Sequence, residues 1–318
     1  MHLLYHPIFL EHETGLHPEN KQRLTAFTDL PPAALDDGYA YLDLIHTPRH
    51  IQRIQTACAT GALLDPDTLT STQSFEVASR AVAAAILASE TNGFALTRPP
   101  GHHAYADRGS GFCLFNNVAV ATQKLVREGK RVLILDFDGH YGDGTSDIFY
   151  DTDQVLFWSL HQYPAYPGNG FVEEIGEGKG KGYTMNVPLP PGSADDIFLK
   201  GIEYFMPAAL QFKPDVVALS AGFDAHSYEP LLDLNVSYSG FYRLGKLLGE
   251  QFEDIFAVLE GGYNVDALQK SIIAFLAGIN GQANPYDVPL SASGMRVHET
   301  FEIYLYASMA KLSPYWRF

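Results

Sequence analysis

Apolar positions in this chain recur with two different periods, and the two kinds of segment alternate. Helical spacing runs through PENKQRLTAF, SFEVASRAVAAAILASE, NNVAVATQKLVREG, DDIFLKGIEYFMPAALQF, SGFYRLGKLLGEQF and VDALQKSIIAFLAG. Between them lie GFALTRPP, RVLILDFD, VLFWSLH, DVVALSAGFD and IFAVLEGGY, short apolar runs, several β-branched, that end in Gly, Pro or Asp and predict strands. Strands without polar alternation are covered on both faces, so the pattern predicts an α/β fold with a mostly parallel central sheet flanked by helices. No repeat, low-complexity linker or charge block divides the chain, and residues 1–318 read as a single domain.

Composition narrows the function classes. A formal net charge of −16 offers no footprint for nucleic acid or an anionic membrane surface, and suits a cationic or neutral partner better. Cys58 and Cys113 are the only cysteines, so there is neither a disulfide framework nor zinc-finger spacing, and a reducing compartment is expected. The opening MHLLYHPIFLEHETG lacks a basic segment followed by a long apolar one, and no stretch approaches the ~18 apolar residues that span a bilayer. The expectation is a cytoplasmic protein.

In open parallel sheets ligands sit beyond the carboxyl ends of the strands, and here those ends are polar. ALTRPP leads into His102 and His103, VLIL into Asp136, Asp138 and His140, VVALSAGF into Asp224, and FAVLEGG into Tyr263. If strand alternation continues through DFDGH, Asp136, Asp138 and His140 share one side while Phe137, Gly139 and Tyr141 take the other. Carboxylates that close repel unless a cation neutralises them, so Asp138 and His140, with Asp224 as a third ligand, suit a catalytic metal site. Alone, a D-x-D-x-H segment reads equally as a capped turn on a solvated edge.

Adjacent histidines are proton carriers near neutral pH when carboxylates orient them, and Asp136 and Asp143 are available for that purpose. The alternative is a loop pair with no catalytic part. Tyr263, after two glycines, is placed to donate to a developing oxyanion, or else is simply a packed aromatic.

Taken together, RPPGHHA, GFCLFNN, DFDGHYGDGT, SAGFDAH and EGGYN resemble, in order and context, the histone deacetylase family, which includes bacterial deacetylases and acetylpolyamine amidohydrolases. The likeness spans nearly the whole chain and is nearest to the class II type. It implies a three-layer arginase/deacetylase-like fold and hydrolysis of an acylated amine, most directly an acetylated lysine. It implies zinc, or iron, on Asp138, His140 and Asp224, with His102 and His103 as the proton-transfer pair, Asp136 and Asp143 orienting them, and Tyr263 polarising the carbonyl. His103 is the expected principal base. Phe112 and Tyr166, with Gly111, would wall the acyl-lysine channel.

The resemblance further implies potassium held by Asp136, Asp138 and Ser159 with the carbonyls of His140 and Leu160, and a second potassium at Phe149, Thr152, Val155 and Tyr183. Arg23 matches a basic residue lining an internal product channel. Two positions depart from the family pattern: Tyr141 stands where many members have a second histidine, and Asp143 is the class I residue where class II members often carry asparagine. At the rim, Leu231 replaces the glutamate of polyamine-selective relatives, which favours an acylated lysine peptide or protein over a small acylated amine, although Glu229 is close by. A catalytically silent acyl-ligand binder is the reading from another class. Acyl preference and oligomeric state stay open, and the aromatic tail FEIYLYASMAKLSPYWRF is expected to pack on the core or on a second subunit.

Overall fold

The computed structural model describes all of residues 1–318. Seven strands form one parallel sheet: β1 (His2–Leu4), β2 (Gly93–Ala95), β3 (Val132–Asp136), β4 (Val155–Gln162), β5 (Thr184–Leu189), β6 (Val216–Ala221) and β7 (Ile255–Leu259). Their spatial order is β1-β2-β7-β6-β3-β4-β5. Every residue of β3, β4, β6 and β7 is buried, as near-continuous apolar strands require when helices cover both faces.

The eight helices are α1 (Pro48–Thr60), α2 (Ser74–Thr91), α3 (Asn117–Arg127), α4 (Asp143–Ile148), α5 (Asp195–Phe212), α6 (Tyr238–Gln251), α7 (Val265–Ile279) and α8 (Met295–Leu312). Their starts are chemically marked: Thr47, Asn116, Ser237 and Asn264 each accept an amide N–H of the first turn of α1, α3, α6 and α7. One apolar cluster of 77 residues runs from Leu4 to Trp316 and includes Phe137, which meets Phe223 edge-on and Phe275 at a tilt.

Local readings and structure differ at PENKQRLTAF and at β1, β5, α1, α4 and α8, which the apolar pattern did not signal. PENKQRLTAF forms a 3-10 helix over Lys21–Phe27 rather than an α-helix, because Arg23 is drawn into buried polar contacts while Leu24 and Phe27 enter the core. Strands β1 and β5 were not signalled: β1 has only three residues, and β5 carries Pro188 within TMNVPL, which is tolerated because β5 lies at the sheet edge. The C-terminal tail packs on the core, with Phe301, Leu305 and Leu312 buried and the Trp316 indole N–H donating to the Gly182 carbonyl at 2.6 Å.

Chain order explains where a site forms. From β3 the chain moves outward through β4 to β5, then returns to place β6 on the other side of β3. The crevice at that reversal, outside the carboxyl ends of β3 and β6, is where open α/β sheets bind ligands. Strands β2, β7, β6 and β3 are consecutive in space, so their four polar ends become neighbours. No helix is long and apolar enough to cross a membrane.

Candidate active site

Strand β3 ends at Asp136, so Asp138 and His140 lie in the turn beyond it and are not sorted by strand pleat as the alternation argument expected. The carboxylates themselves fold the segment. Asp136 accepts the Asp138 N–H at 3.2 Å, and Asp138 accepts the His140 N–H at 2.8 Å, bonds an extended strand could not make. The expected separation of faces nevertheless survives. Phe137 enters the core, and Tyr141 turns away from the metal candidates to donate its hydroxyl to Ser146 at 2.6 Å.

Asp224, just beyond β6, accepts the Gly139 N–H at 2.6 Å, and Asp138 accepts the Gly261 N–H at 2.7 Å, so the turns after β3, β6 and β7 are tied together. The His140 Nδ1 lies 2.8 Å from Asp224 Oδ2 and 3.3 Å from Asp138 Oδ1. All three side chains are buried, with donor atoms within 4.8 Å of one another. Two carboxylate oxygens and one imidazole nitrogen converging away from water can hold a divalent metal ion.

The histidine pair stands beside this cluster, its rings 4.1 Å apart between centroids. His102 Nδ1–H donates to Asp136 at 3.0 Å, and His103 Nδ1–H donates to Asp143 at 2.6 Å. Burial disfavours charge on His102, but the carboxylates of Asp138 and Asp136 outweigh it and hold its pKa well above the ordinary value. His103 is pushed down to about 4 by burial and by His102, against the opposing pull of Asp143. The two neighbouring imidazoles are thus driven in opposite directions, His102 towards the charged form and His103 towards the neutral one.

Two partners of the pair were not legible as such. Tyr105 donates its hydroxyl to the second oxygen of Asp143 at 2.8 Å. Glu260, fully buried, accepts the amide N–H groups of Gly101 at 2.6 Å and His102 at 3.1 Å. The signal for Glu260 was present in LEGG, since a charged residue closing a buried strand needs a buried partner.

Above the cluster opens a cavity of about 450 Å³, with His103, His140 and Tyr263 at the reactive end. Phe112 and Tyr166 line it: Phe112 meets the Tyr263 ring edge-on at 5.6 Å, and Tyr166 meets His103 at 5.1 Å. Gly111 passes His103 so closely that a Cβ there would lie 2.5 Å from the imidazole, and its φ of +54° disfavours a side chain independently. Burial holds the Tyr263 hydroxyl far above the ordinary tyrosine pKa, so it remains a donor.

At the mouth stand Leu231, 41% exposed, and Asp65 and Asp67, two acidic groups that the sequence reading did not single out. Their signal was weak, as a DPD turn in a loop is ordinarily solvated surface. Glu229 does not open onto the rim: it is buried and accepts the Tyr263 N–H through both oxygens, at 3.1 and 3.0 Å. Arg23 is buried as well, donating to the carbonyls of Gly262 at 2.7 Å and Glu260 at 2.5 Å and pairing with Glu19 at 3.1 Å, which excludes a helix-surface salt bridge.

The residues matched to potassium fall in two places. Asp136 and Ser159 are register partners on β3 and β4, with Leu160 next in β4. Phe149, Thr152 and Val155 follow one another from the end of α4 into β4, and Tyr183 joins them by accepting the Phe157 N–H.

The parallel sheet carries a buried Asp-His-Asp cluster and a paired-histidine loop at its reversal point, where open α/β sheets bind ligands. Residues 17–279 match the histone deacetylase domain model. The chain is 38% identical over 314 residues to a probable deacetylase of Archaeoglobus fulgidus, covering 87% of this chain and 86% of that one. It is 40% identical over 201 residues to an acetylpolyamine amidohydrolase of Burkholderia pseudomallei, covering 62% and 59%. Among solved structures, the HD domain of HDA15 superposes with a TM-score of 0.89 at 30% identity, covering 99% of this chain and 94% of that domain. The chain belongs to the histone deacetylase family, a family of amidohydrolases.

Proposed function

We propose that this protein removes acyl groups, acetyl foremost, from acylated lysine side chains, using a divalent ion held by Asp138, His140 and Asp224. Zinc is the first choice for this donor set, and iron the second. The observation that carries the reading is the meeting of His103, His140 and Tyr263 at the end of a single aromatic-walled cavity.

When bound, such an ion polarises the acyl carbonyl and acidifies a water molecule. The remaining work belongs to side chains. Nδ1 of His103 is committed to Asp143, so its Nε2 is the nitrogen that takes a proton from the attacking water. That proton is later delivered to the departing amine, with His102 beside it, its ring fixed by Asp136. The Tyr263 hydroxyl donates to the carbonyl oxygen as it gains charge. Phe112 and Tyr166 flank the aliphatic stem and exclude water. Potassium at Asp136, Asp138, Ser159, His140 and Leu160, and at Phe149, Thr152, Val155 and Tyr183, belongs to the same reading as a structural ion.

An acetylated polyamine is the second substrate reading, and Asp65 and Asp67 at the mouth favour it, since carboxylates there attract a distal ammonium group. The test pairs an acetyl-lysine peptide with an acetylated polyamine and follows amine release with and without a chelator. Chelator-sensitive turnover of the peptide is expected. Preference for the polyamine would transfer the reading to the second class, and no turnover of either would sink both.

A further inference from the structure

Tyr263 sits on a segment that does not fix its own position. Gly262 has φ +119°, a conformation that side chains rarely permit, and Gly261 precedes it, so two adjacent residues leave the backbone free of side-chain constraint. What holds the tyrosine is external. On its N-terminal side Arg23 takes the carbonyls of Glu260 and Gly262. On its own amide the holder is Glu229, whose two carboxylate oxygens accept the Tyr263 N–H, one of them also reaching the Asn264 N–H at 3.4 Å.

The two loops are joined a second time. Asn264 donates its side-chain amide to the Tyr228 carbonyl at 3.1 Å while its Oδ1 accepts the Ala267 N–H that starts α7. A buried carboxylate is an expensive way to accept an amide hydrogen: burial and nearby Asp224 push Glu229 up to about 7, with only the two amides and Arg23 in opposition. A neutral acceptor would be cheaper. What Glu229 adds is a short side chain with both oxygens within hydrogen-bond reach of one N–H.

Resting on the deacylase reading of Tyr263, we propose that Glu229 is a positioning residue, its carboxylate fixing the Tyr263 amide so that the phenol stands at the reactive end of the cavity.

The experiment compares Glu229→Ala and Glu229→Gln in the wild-type chain and in a Tyr263→Phe background, with an acetyl-lysine peptide as substrate. Glu229→Ala should lower kcat by roughly ten- to hundredfold, the scale expected when a reacting group drifts by about 1 Å. KM should stay within about twofold, because the lost interaction belongs to the transition state. Glu229→Gln, which keeps an acceptor oxygen, should recover most of the rate. In the Tyr263→Phe background, Glu229→Ala should cost nothing further, since the group it positions is gone.

Amide hydrogen exchange supplies a readout independent of turnover. Peptides covering 260–264 should exchange faster in Glu229→Ala while α6 keeps its protection. Should Glu229→Ala fail to fold, Glu229→Asp, which retracts the carboxylate by one methylene, takes its place with the same expectations. Equal fractional losses in both backgrounds, or unchanged exchange at 260–264, would overturn the proposal. If the wild type turns over neither an acetyl-lysine peptide nor an acetylated polyamine, the deacylase reading fails and the exchange comparison alone decides the clamp.

Discussion

His103 and Asp143 are joined by a 2.6 Å hydrogen bond, and the other oxygen of Asp143 is held at 2.8 Å by the hydroxyl of Tyr105. The chain therefore runs from a half-buried tyrosine through a carboxylate to the imidazole that faces the cavity. This order fixes the imidazole tautomer and leaves Nε2 unoccupied by the protein.

Replacing Asp143 by asparagine keeps an acceptor for His103 but removes the charge that balances the imidazolium. We expect kcat to fall by about 10², the low end of what a positioned general base contributes, with KM little changed. Steady-state kinetics on an acetyl-lysine peptide check this. A His103→Ala variant that hydrolyses at the wild-type rate would falsify the assignment of the base.

Gly111→Ala should act as a steric probe of that same imidazole. The new methyl would press on His103 and occupy a backbone conformation at φ +54° that alanine resists. The expected result is a loss of about tenfold or more in kcat. Far-UV circular dichroism should remain native, separating displacement of the base from unfolding.

Tyr263→Phe removes one donor to the developing oxyanion and should lower kcat by roughly 10² to 10³. Metal content, measured by atomic absorption, should not change, because the phenol is not among the Asp138, His140 and Asp224 donors. Chelation should abolish turnover in the wild type, and returning zinc should restore it. Asp138→Ala should show no such restoration.

Glu19 gives a pH-dependent stability. Burial raises its carboxyl pKa, but Arg98, bound at 2.5 and 2.9 Å, and then His12 and Arg23, overcome that and hold it down at about 2. A carboxyl with a depressed folded-state pKa stabilises the fold above its unfolded value and loses that contribution as pH falls towards about 2. Glu19→Gln should therefore cost about 3–5 kcal/mol at pH 7, since it leaves a buried arginine uncompensated. In chemical denaturation the gap to the wild type should narrow steadily below about pH 4.5. A gap independent of pH would show that shape, and not charge, holds Arg98.

Much of the site was legible because its groups are ones that a buried strand end does not tolerate without a purpose. Asp138, His140, Asp224, His102 and His103 violate the apolar pattern at the point where it stops, and the structure gathers all five with their orienting carboxylates. The role of Glu229 was not legible, because its position next to Pro230 and Leu231 says nothing about which backbone amide its side chain can reach. The acidic mouth at Asp65 and Asp67 was missed for a related reason: a polar loop carries no periodicity, and its place beside Leu231 follows only from packing.

Sequence alone determined the alternation of strands and helices, since apolar period and chain-end chemistry are local, and it determined which residues had to find partners or a cation. Only the tertiary structure decided that β2, β7, β6 and β3 lie side by side, bringing residues 102, 138, 224 and 263 together from four separate stretches of chain. Strand order depends on crossovers and on burial summed over the whole sheet. No single segment holds that information, so the cavity, the clamp on Tyr263 and the tautomer of His103 belong to the fold.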